Sequence, residues 1–276
     1  MIDLSLIWIL IIGLGVLIYV VLDGFDLGIG ILFPFISDRQ ERDVMMNTVA
    51  PVWDGNETWM VLGGAGLFAA FPLVYSTVLS ALYMPIILMV IALIFRGVAF
   101  EFRFKANKTK HLWDQAFIWG SILSSFLQGV ILGAYIQGIE TTNGIYTGGG
   151  LDWLTPFSLF TGISVVVLYA TLGCGWLIFK TEKMLQNRMF ELMPKLLISL
   201  LMIFVCVSIY TPLAHPQIAE RWFSQPQLFY FSPVPVLVLL FTFLAIKACK
   251  QRKEFLPFIY TLALVILAYS DFLISL

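Results

Sequence analysis

Histidine occurs only twice in this chain, at His111 and His215, and cysteine three times, at Cys174, Cys206 and Cys249. No two cysteines have the C-x-x-C spacing of a zinc or redox site, and all three sit in or at the end of apolar stretches, where they serve as small apolar residues. Haem iron is usually held by His, Met or Cys. The two histidines fall on opposite sides of a membrane in the topology below, so they cannot serve one haem together; a ligand among the ten methionines stays open but has no support in the sequence, and the chain is expected to carry no haem and no metal of its own. Charge is scarce as well: only 12% of the 276 residues are Asp, Glu, Lys or Arg, against 60% apolar. The mean hydropathy of +0.92 is far above that of a water-soluble domain of this size. No basic tract of the kind that binds nucleic acid is present. The segments between apolar runs are too short to bury a core, so any chemistry takes place in or beside the membrane.

What the chain has instead is long apolar runs. Eight approach the roughly 20 residues that a helix rising ~1.5 Å per residue needs to cross a ~30 Å hydrocarbon core. They are Leu4 to Ile36, Thr58 to Val74, Thr77 to Phe100, Ala116 to Ile139, Pro156 to Phe179, Leu196 to Pro212, Phe229 to Ala248 and Phe255 to Ile274. Their unbroken length favours helices over the ~10-residue alternation of a membrane barrel. The expected fold class is therefore all-α, a polytopic membrane protein with eight transmembrane helices. The first run lacks a basic n-region and an A-x-A site, so it is expected to be retained as a span rather than removed as a signal peptide.

Lys and Arg concentrate on the cytoplasmic side of short membrane loops. With eight spans, 15 of the 16 Lys and Arg residues fall on one side, and only Arg221 falls on the other. The connections after the first, third, fifth and seventh spans hold Arg39 and Arg42; Arg103, Lys105, Lys108 and Lys110; Lys180, Lys183, Arg188 and Lys195; and Lys247, Lys250, Arg252 and Lys253. Arg96 lies near the inner end of the third span. The asymmetry places the N-terminus outside and supports the count of eight independently of hydropathy.

Ionisable groups inside spans are costly and usually face a cavity or a partner. Asp23 and Asp26, three residues apart in Asp23-Gly24-Phe25-Asp26-Leu27-Gly28, share a helix face, while Gly24 and Gly28 form a G-x-x-x-G that lets another helix approach. As one straight helix the first run would be ~50 Å long, which leaves Asp23 in the cytoplasmic half of the membrane or at its inner boundary. Trp53-Asp54-Gly55-Asn56-Glu57-Thr58-Trp59 opens the second span from the same side. Acids in a first helical turn also suit the helix dipole, and tryptophans suit an interface. The shared depth of Asp23, Asp26, Asp54 and Glu57, with Arg96 and Glu101 at the inner end of the third span, nevertheless gathers acids and a guanidinium on three helix ends. Such a group can relay protons, bind a cation, or neutralise itself by pairing. In the fourth span Gln128 and Gln137, among Gly129, Gly133 and Gly138, are expected to bond between helices.

Four segments in this order, the Asp23 to Gly28 motif, Asn47 to Trp59 (NTVAPVWDGNETW), Leu67 to Pro72 (LFAAFP) and Phe95 to Arg103 (FRGVAFEFR), resemble subunit II of the bacterial cytochrome bd-type quinol oxidases, including the cyanide-insensitive branch. The resemblance is densest over residues 1 to about 140. It implies a haem-free scaffold in the bacterial inner membrane whose partner, subunit I, holds two b haems and haem d, oxidises quinol and reduces oxygen, with a small single-span subunit as a further partner. By motif match Asp23 and Asp54 lie on a cytoplasmic proton path, and Trp59 lies near an oxygen route or at the subunit contact, its role as an interface anchor remaining open. A structural quinone has also been associated with the family's second subunit. The family's two four-helix bundles imply a division into residues 1–150, with the acidic motifs, and 151–276. The resemblance leads to the expectation of a Pro-rich outer loop and a ninth helix beyond the eighth span, whereas this sequence stops at Leu276, as a truncated, partial or naturally short form would.

A second reading from the residues is a proton- or sodium-coupled secondary transporter, since buried acids near broken helices suit that class. Pro85 and Gly162, Gly173 and Gly175 are candidate breaks, but no acid lies beside them at mid-depth.

Overall fold

In the computed structural model, residues 4–214, 219–220, 222, 224–225 and 232–275 are described. His215 and Arg221 lie outside them. The chain is an all-α membrane protein of nine α-helices among the described residues: α1 (Leu4–Leu32), α2 (Arg39–Asn47), α3 (Trp53–Ala70), α4 (Pro72–Arg103), α5 (Lys110–Gln137), α6 (Pro156–Lys180), α7 (Lys183–Ala214), α8 (Pro233–Lys250) and α9 (Leu256–Ser275). Seven of these, all but α2 and α3, are long and apolar enough to cross a membrane. The chain forms two compact units, residues 1–169 and 170–276.

Where the elements start and stop follows from particular residues. Pro34 closes α1, which tightens into a 3₁₀ turn at Phe33–Phe35, since proline lacks the N–H that would continue the helix. Asp38 then caps α2, its carboxylate accepting from the N–H groups of Gln40 and Glu41 at 2.7 and 3.0 Å. α2 was not expected, because its charged sequence reads as a loop.

The expected turn between Val74 and Thr77 is not where the chain reverses. α3 ends at Ala70, the single residue Phe71 (φ −136°, ψ 63°) makes the corner, and α4 starts at Pro72. Proline is preorganised for the first helical position, so it overrides the hydropathy, which runs on through the corner. α4 bends at Leu82 (φ −116°, ψ 16°), three residues before Pro85. The connections read as basic loops are partly helical: Arg103 closes α4, and Lys183, Arg188 and Lys195 lie along α7.

α5 stops at Gly138, whose φ of +90° ends the helix. It is followed by a two-stranded hairpin, β1 (Thr141–Thr142) with β2 (Ile145–Tyr146), in which Thr141 pairs with Tyr146. Asn143 and Gly144, both at positive φ, supply the tight turn that such hairpins favour.

In the first unit α4 and α5 pack closely, as do α1 and α3, with α5 also against α1. Small residues set these approaches. A Cβ on Gly120 would meet the Ala92 carbonyl oxygen at 2.7 Å, and one on Gly30 would overlap Ser121 of α5. Lipid gives helices no hydrophobic reason to associate, so close packing and interhelical hydrogen bonds hold them. In the second unit Gly175 lets α6 approach Phe258 of α9, and the buried Cys174 thiol contacts the Met189 carbonyl at 3.4 Å. All three cysteines are free.

Candidate functional site

The acids in the spans converge on one guanidinium. Arg96 of α4 is fully buried, and its Nη1 lies 2.8 Å from Asp23 Oδ1 while Nη2 lies 3.7 Å from Asp26 Oδ2. Nη1 also donates to Glu57 Oε1 on α3. Asp23 and Asp26 are fully buried; Glu57 keeps 22% of its side chain exposed. Asn56, beside Glu57 on α3, donates from Nδ2 to Asp26 Oδ2 at 2.8 Å. Three helices are thus pinned at one point by three carboxyls, a carboxamide and a single cation.

Pairing is incomplete. Among the described residues, neither Asp23 oxygen, nor Asp26 Oδ1, nor Nε and Nη2 of Arg96 has a hydrogen-bond partner. The Arg96 contacts to the aspartates are therefore ion pairs without aligned hydrogen bonds. Unlike a self-contained salt bridge, this arrangement retains acceptor capacity inside a low-dielectric region, and Glu57 connects it to the exposed face of α3. Such a set can hold a proton and pass it on.

The structure brings together Asp23, Asp26, Glu57 and Arg96. Gly24 and Gly28 are buried in α1 beside them. Asp54 is exposed, one turn before Glu57 at the start of α3, and Trp59 is half-buried in the next turn. Glu101 is not brought in: its side chain is 66% exposed and pairs with Lys105 at 3.5 Å, one turn along α4. Asn56 was not singled out by the sequence. Its signal was its place between Asp54 and Glu57 in a helical first turn, where it faces inward together with Glu57.

A second charged group went unrecognised. Arg103, one of the residues read as a cytoplasmic loop cation, is fully buried, donating to Asp114 Oδ1 from Nε and to Asp43 Oδ1 from Nη1, both at 2.5 Å. Arg42 donates to Asp114 Oδ2 at 3.0 Å and Lys110 to Asp43 Oδ2 at 2.9 Å. The signal was present: Asp114 is an acid in a largely basic connection, and Asp43 directly follows Arg42. Partial burial acts to raise the pKa of Asp43, but hydrogen bonds from Lys110 and Arg103, and their charges, outweigh it and hold the carboxyl below its ordinary value.

Arg96 and Arg103 are seven residues apart on one face of α4, about 10 Å along the axis. Aromatic rings fill the interval. Phe117 packs edge-on against Phe33 and Phe100, with ring centres 4.8 and 5.2 Å away. Trp53 stacks on Phe100 at 4.9 Å. Arg96 lies over Phe100 at 5.8 Å and Arg103 over Phe33 at 5.4 Å, near enough for cation–π attraction. The two charged groups are thereby insulated from one another.

As expected, the glutamines bond between elements. Gln128 joins Tyr19 of α1 to Tyr169 of α6, and Gln137 accepts from Thr155 at 2.5 Å.

Residues 4–276 match the family model for cytochrome bd terminal oxidase subunit II. The chain belongs to that family. Among subunit II relatives, it is 34% identical to the cytochrome bd-I ubiquinol oxidase subunit 2 of Escherichia coli K12 over 197 residues, 67% of this chain and 51% of the relative. It is 30% identical to the cytochrome bd ubiquinol oxidase subunit 2 of Bacillus subtilis over 252 residues, 90% of this chain and 72% of the relative. The chain thus spans about half the length of the Escherichia coli relative. Its fold is similar to that of a chain in the bd oxidase of Geobacillus thermodenitrificans, with a TM-score of 0.82, 17% identity, and coverage of 99% of this chain and 84% of that one. Membership of the bd oxidase subunit II family does not favour the carrier reading.

Proposed function

We propose that this chain is the second, haem-free subunit of a quinol:oxygen oxidoreductase in the bacterial inner membrane, which stabilises a haem-bearing first subunit and helps conduct cytoplasmic protons to the site of oxygen reduction. Family membership supports the complex and its electron-transport role. The observation that carries the proton role is the set of buried, incompletely paired carboxyls of Asp23 and Asp26 around Arg96, connected to the surface by Glu57. In this reading the N-terminus is outside, α3 is the eighth span, and the 15 basic residues lie on the cytoplasmic side of the membrane, Arg96 and Arg103 among them being buried within the protein. Residues 1–150 form the bundle that carries the proton site, and 151–276 the second bundle. Asp54 receives the proton at the exposed start of α3, Glu57 takes it inward, and Asp23 and Asp26 hold it beside Arg96. Glu101 lies on the same side, further out. Trp59 flanks this entry at the contact with the first subunit.

In this reading the two b haems and haem d belong to the first subunit, as the family resemblance implies; His111, the histidine among the described residues, is exposed in the first turn of α5, and no step of the proton path runs through a haem. Reduction of oxygen to water consumes protons; drawn from inside, while quinol releases its own outside, they generate a proton-motive force without a pump. A small single-span subunit and a structural quinone belong to the same reading.

The test begins with the tagged chain purified in mild detergent from its native membrane. A larger co-purifying partner with b- and d-type haem bands in the reduced-minus-oxidised spectrum is expected; a lone, colourless protein refutes the complex. In that complex Asp23→Asn and Asp54→Asn are expected to lower quinol-driven oxygen consumption with the haem spectrum intact. Full activity in both removes the relay role.

A further inference from the structure

We propose that the end of the second unit where α6 turns into α7 and α8 into α9 binds an anionic phospholipid, with Lys180 taking its phosphate and Phe179 and Phe255 the start of an acyl chain. The inference needs only that the chain spans a membrane, and it is independent of the proton path.

The two units use their cations differently. In the first, Arg42, Arg96, Arg103, Lys105 and Lys110 each meet a carboxylate, so their charge is neutralised within the unit. In the second, residues 180–188 and 247–254 hold seven cations against two acids, Glu182 and Glu254. Here Lys180 and Arg252 rest on neutral partners. The Lys180 ammonium lies over the rings of Trp176 at 5.1 Å and Phe179 at 4.7 Å. Arg252 lies over Phe190 at 5.0 Å, and its Nη1 donates to Asn187 Oδ1 at 3.0 Å, which ties the α8–α9 turn to α7. A ring face or an amide orients a cation without discharging it. The positive charge at this end is thus fixed in place and still available to an anion.

The surroundings of Lys180 select a lipid over a soluble anion. It is the exposed last residue of α6, so its ammonium sits where a helix long enough to cross the membrane ends. The surface beside it is aromatic: Phe179 packs edge-on against Phe255 with ring centres 5.2 Å apart, and Trp176 packs against Phe258 at 5.6 Å. Phe179 and Phe255 remain 37% and 50% exposed, so an acyl chain can lie along them while the phosphate reaches Lys180. The backbone adds to the attraction. The chain reverses at Lys183, with a φ of +58°, and α7 starts there with no acid in its first turn, so its N-terminal N–H groups present partial positive charge three residues after Lys180. An anion from solution could use the ammonium but would gain nothing from the exposed rings. Lysines at a helix end also mark the side of the membrane that retains a loop; that role needs charge alone, and neither the rings under Lys180 nor the exposed Phe255.

The experiment is a lipid titration of the chain in the complex it co-purifies with, washed in detergent to strip bound lipid. Mixed micelles containing phosphatidylglycerol are added and the melting temperature is followed; phosphatidylcholine is the uncharged probe and inorganic phosphate the probe without acyl chains. Phosphatidylglycerol is expected to raise the melting temperature by on the order of 5 °C at saturation, and the other two to give no such rise. In Lys180→Gln the phosphatidylglycerol concentration for half the effect is expected to increase about fivefold, the loss expected of one cation near a charged membrane surface. Phe255→Ala is expected to move it the same way, while Lys108→Gln, which removes an exposed cation of the first unit, leaves it unchanged. Equal shifts in Lys180→Gln and Lys108→Gln overturn the site in favour of diffuse attraction, and an unmoved value in Phe255→Ala overturns the acyl contact. A matching rise with phosphatidylcholine or with inorganic phosphate overturns the anionic lipid as occupant. No response to phosphatidylglycerol, as when a protein partner covers this end, overturns the proposal outright.

Discussion

Replacing Arg96 with methionine tests the physical core of the site, because the guanidinium is the single cation facing three carboxyls among the described residues. It pairs with Asp23 at 2.8 Å and with Asp26 at 3.7 Å, donates to Glu57, and is fully buried together with both aspartates. Methionine keeps much of the side-chain volume, so the loss is one of charge rather than packing. Removing one partner of a buried pair costs about 3–5 kcal/mol, because the other charge is left unpaired in a medium that solvates it badly. That corresponds to a fall in melting temperature on the order of 10 °C for a chain of this size. The assay is thermal unfolding in detergent, followed by loss of the monodisperse peak in size-exclusion chromatography. A second step makes the reasoning specific. Replacing a whole buried ionic group by neutral residues is often close to neutral in stability, so Arg96→Met combined with Asp23→Asn and Asp26→Asn should recover much of the loss. A combined variant as unstable as Arg96→Met alone would refute the electrostatic account and leave a packing one.

Three further outcomes are expected. The depressed pKa of Asp43 means that its pairing with Arg103 and Lys110 adds stability above the ordinary carboxylate value, about pH 4, and that this is lost as pH falls through the lower folded-state value; melting curves taken between neutral and strongly acidic pH should show a steeper acid-side decline in wild type than in Asp43→Asn. In Gly120→Ala the added Cβ meets the Ala92 carbonyl oxygen at 2.7 Å and Arg96 at 3.0 Å, so α4 and α5 must separate, at a cost of about 1–3 kcal/mol, visible as a lower melting temperature; an unchanged value would show that the contact yields freely. Glu57→Gln should lower quinol-driven oxygen consumption, whereas Glu101→Gln, whose partner Lys105 is itself exposed, should leave it unchanged because solvent screens such pairs; equal effects would contradict the different placements of the two glutamates.

Much of the first unit was legible from residue spacing. Asp23 and Asp26 at a three-residue interval, and Arg96 on another span, meet in the structure as their positions suggested, and Gln128 bridges helices as an amide in an apolar run implied. What hydropathy could not show was partner choice. Asp54 and Glu57 occupy the same first turn, but only helix rotation determines that Asn56 and Glu57 face α1 and α4 while Asp54 faces out. The corner at Phe71 was hidden because the residues on both sides of it are apolar, so the window average runs through the turn and only Pro72 marks it. Arg103 was misplaced for a related reason: a cation at the end of a span reads as a loop charge until Asp43 and Asp114, 60 residues before it and 11 after, are folded against it. Tyr19 and Tyr169 carry no local signal, since a tyrosine in an apolar helix is ordinary until its hydroxyl has a partner.

The burial of Arg103 also bears on how the chain is made. In the orientation proposed above, Asp43 has already emerged when Arg103 appears during synthesis, but Asp114 has not, so as α4 enters the bilayer its terminal cation would be solvated and would count among the charges that hold a loop back from translocation. Once α5 follows, the same guanidinium is withdrawn into the protein and becomes a pin among α2, α4 and α5. In that orientation one residue would serve first as a topological signal during biogenesis and later as a lock on the finished bundle, and a substitution there would leave two records: misoriented chains in the newly made population, and weakened ones among those that inserted correctly.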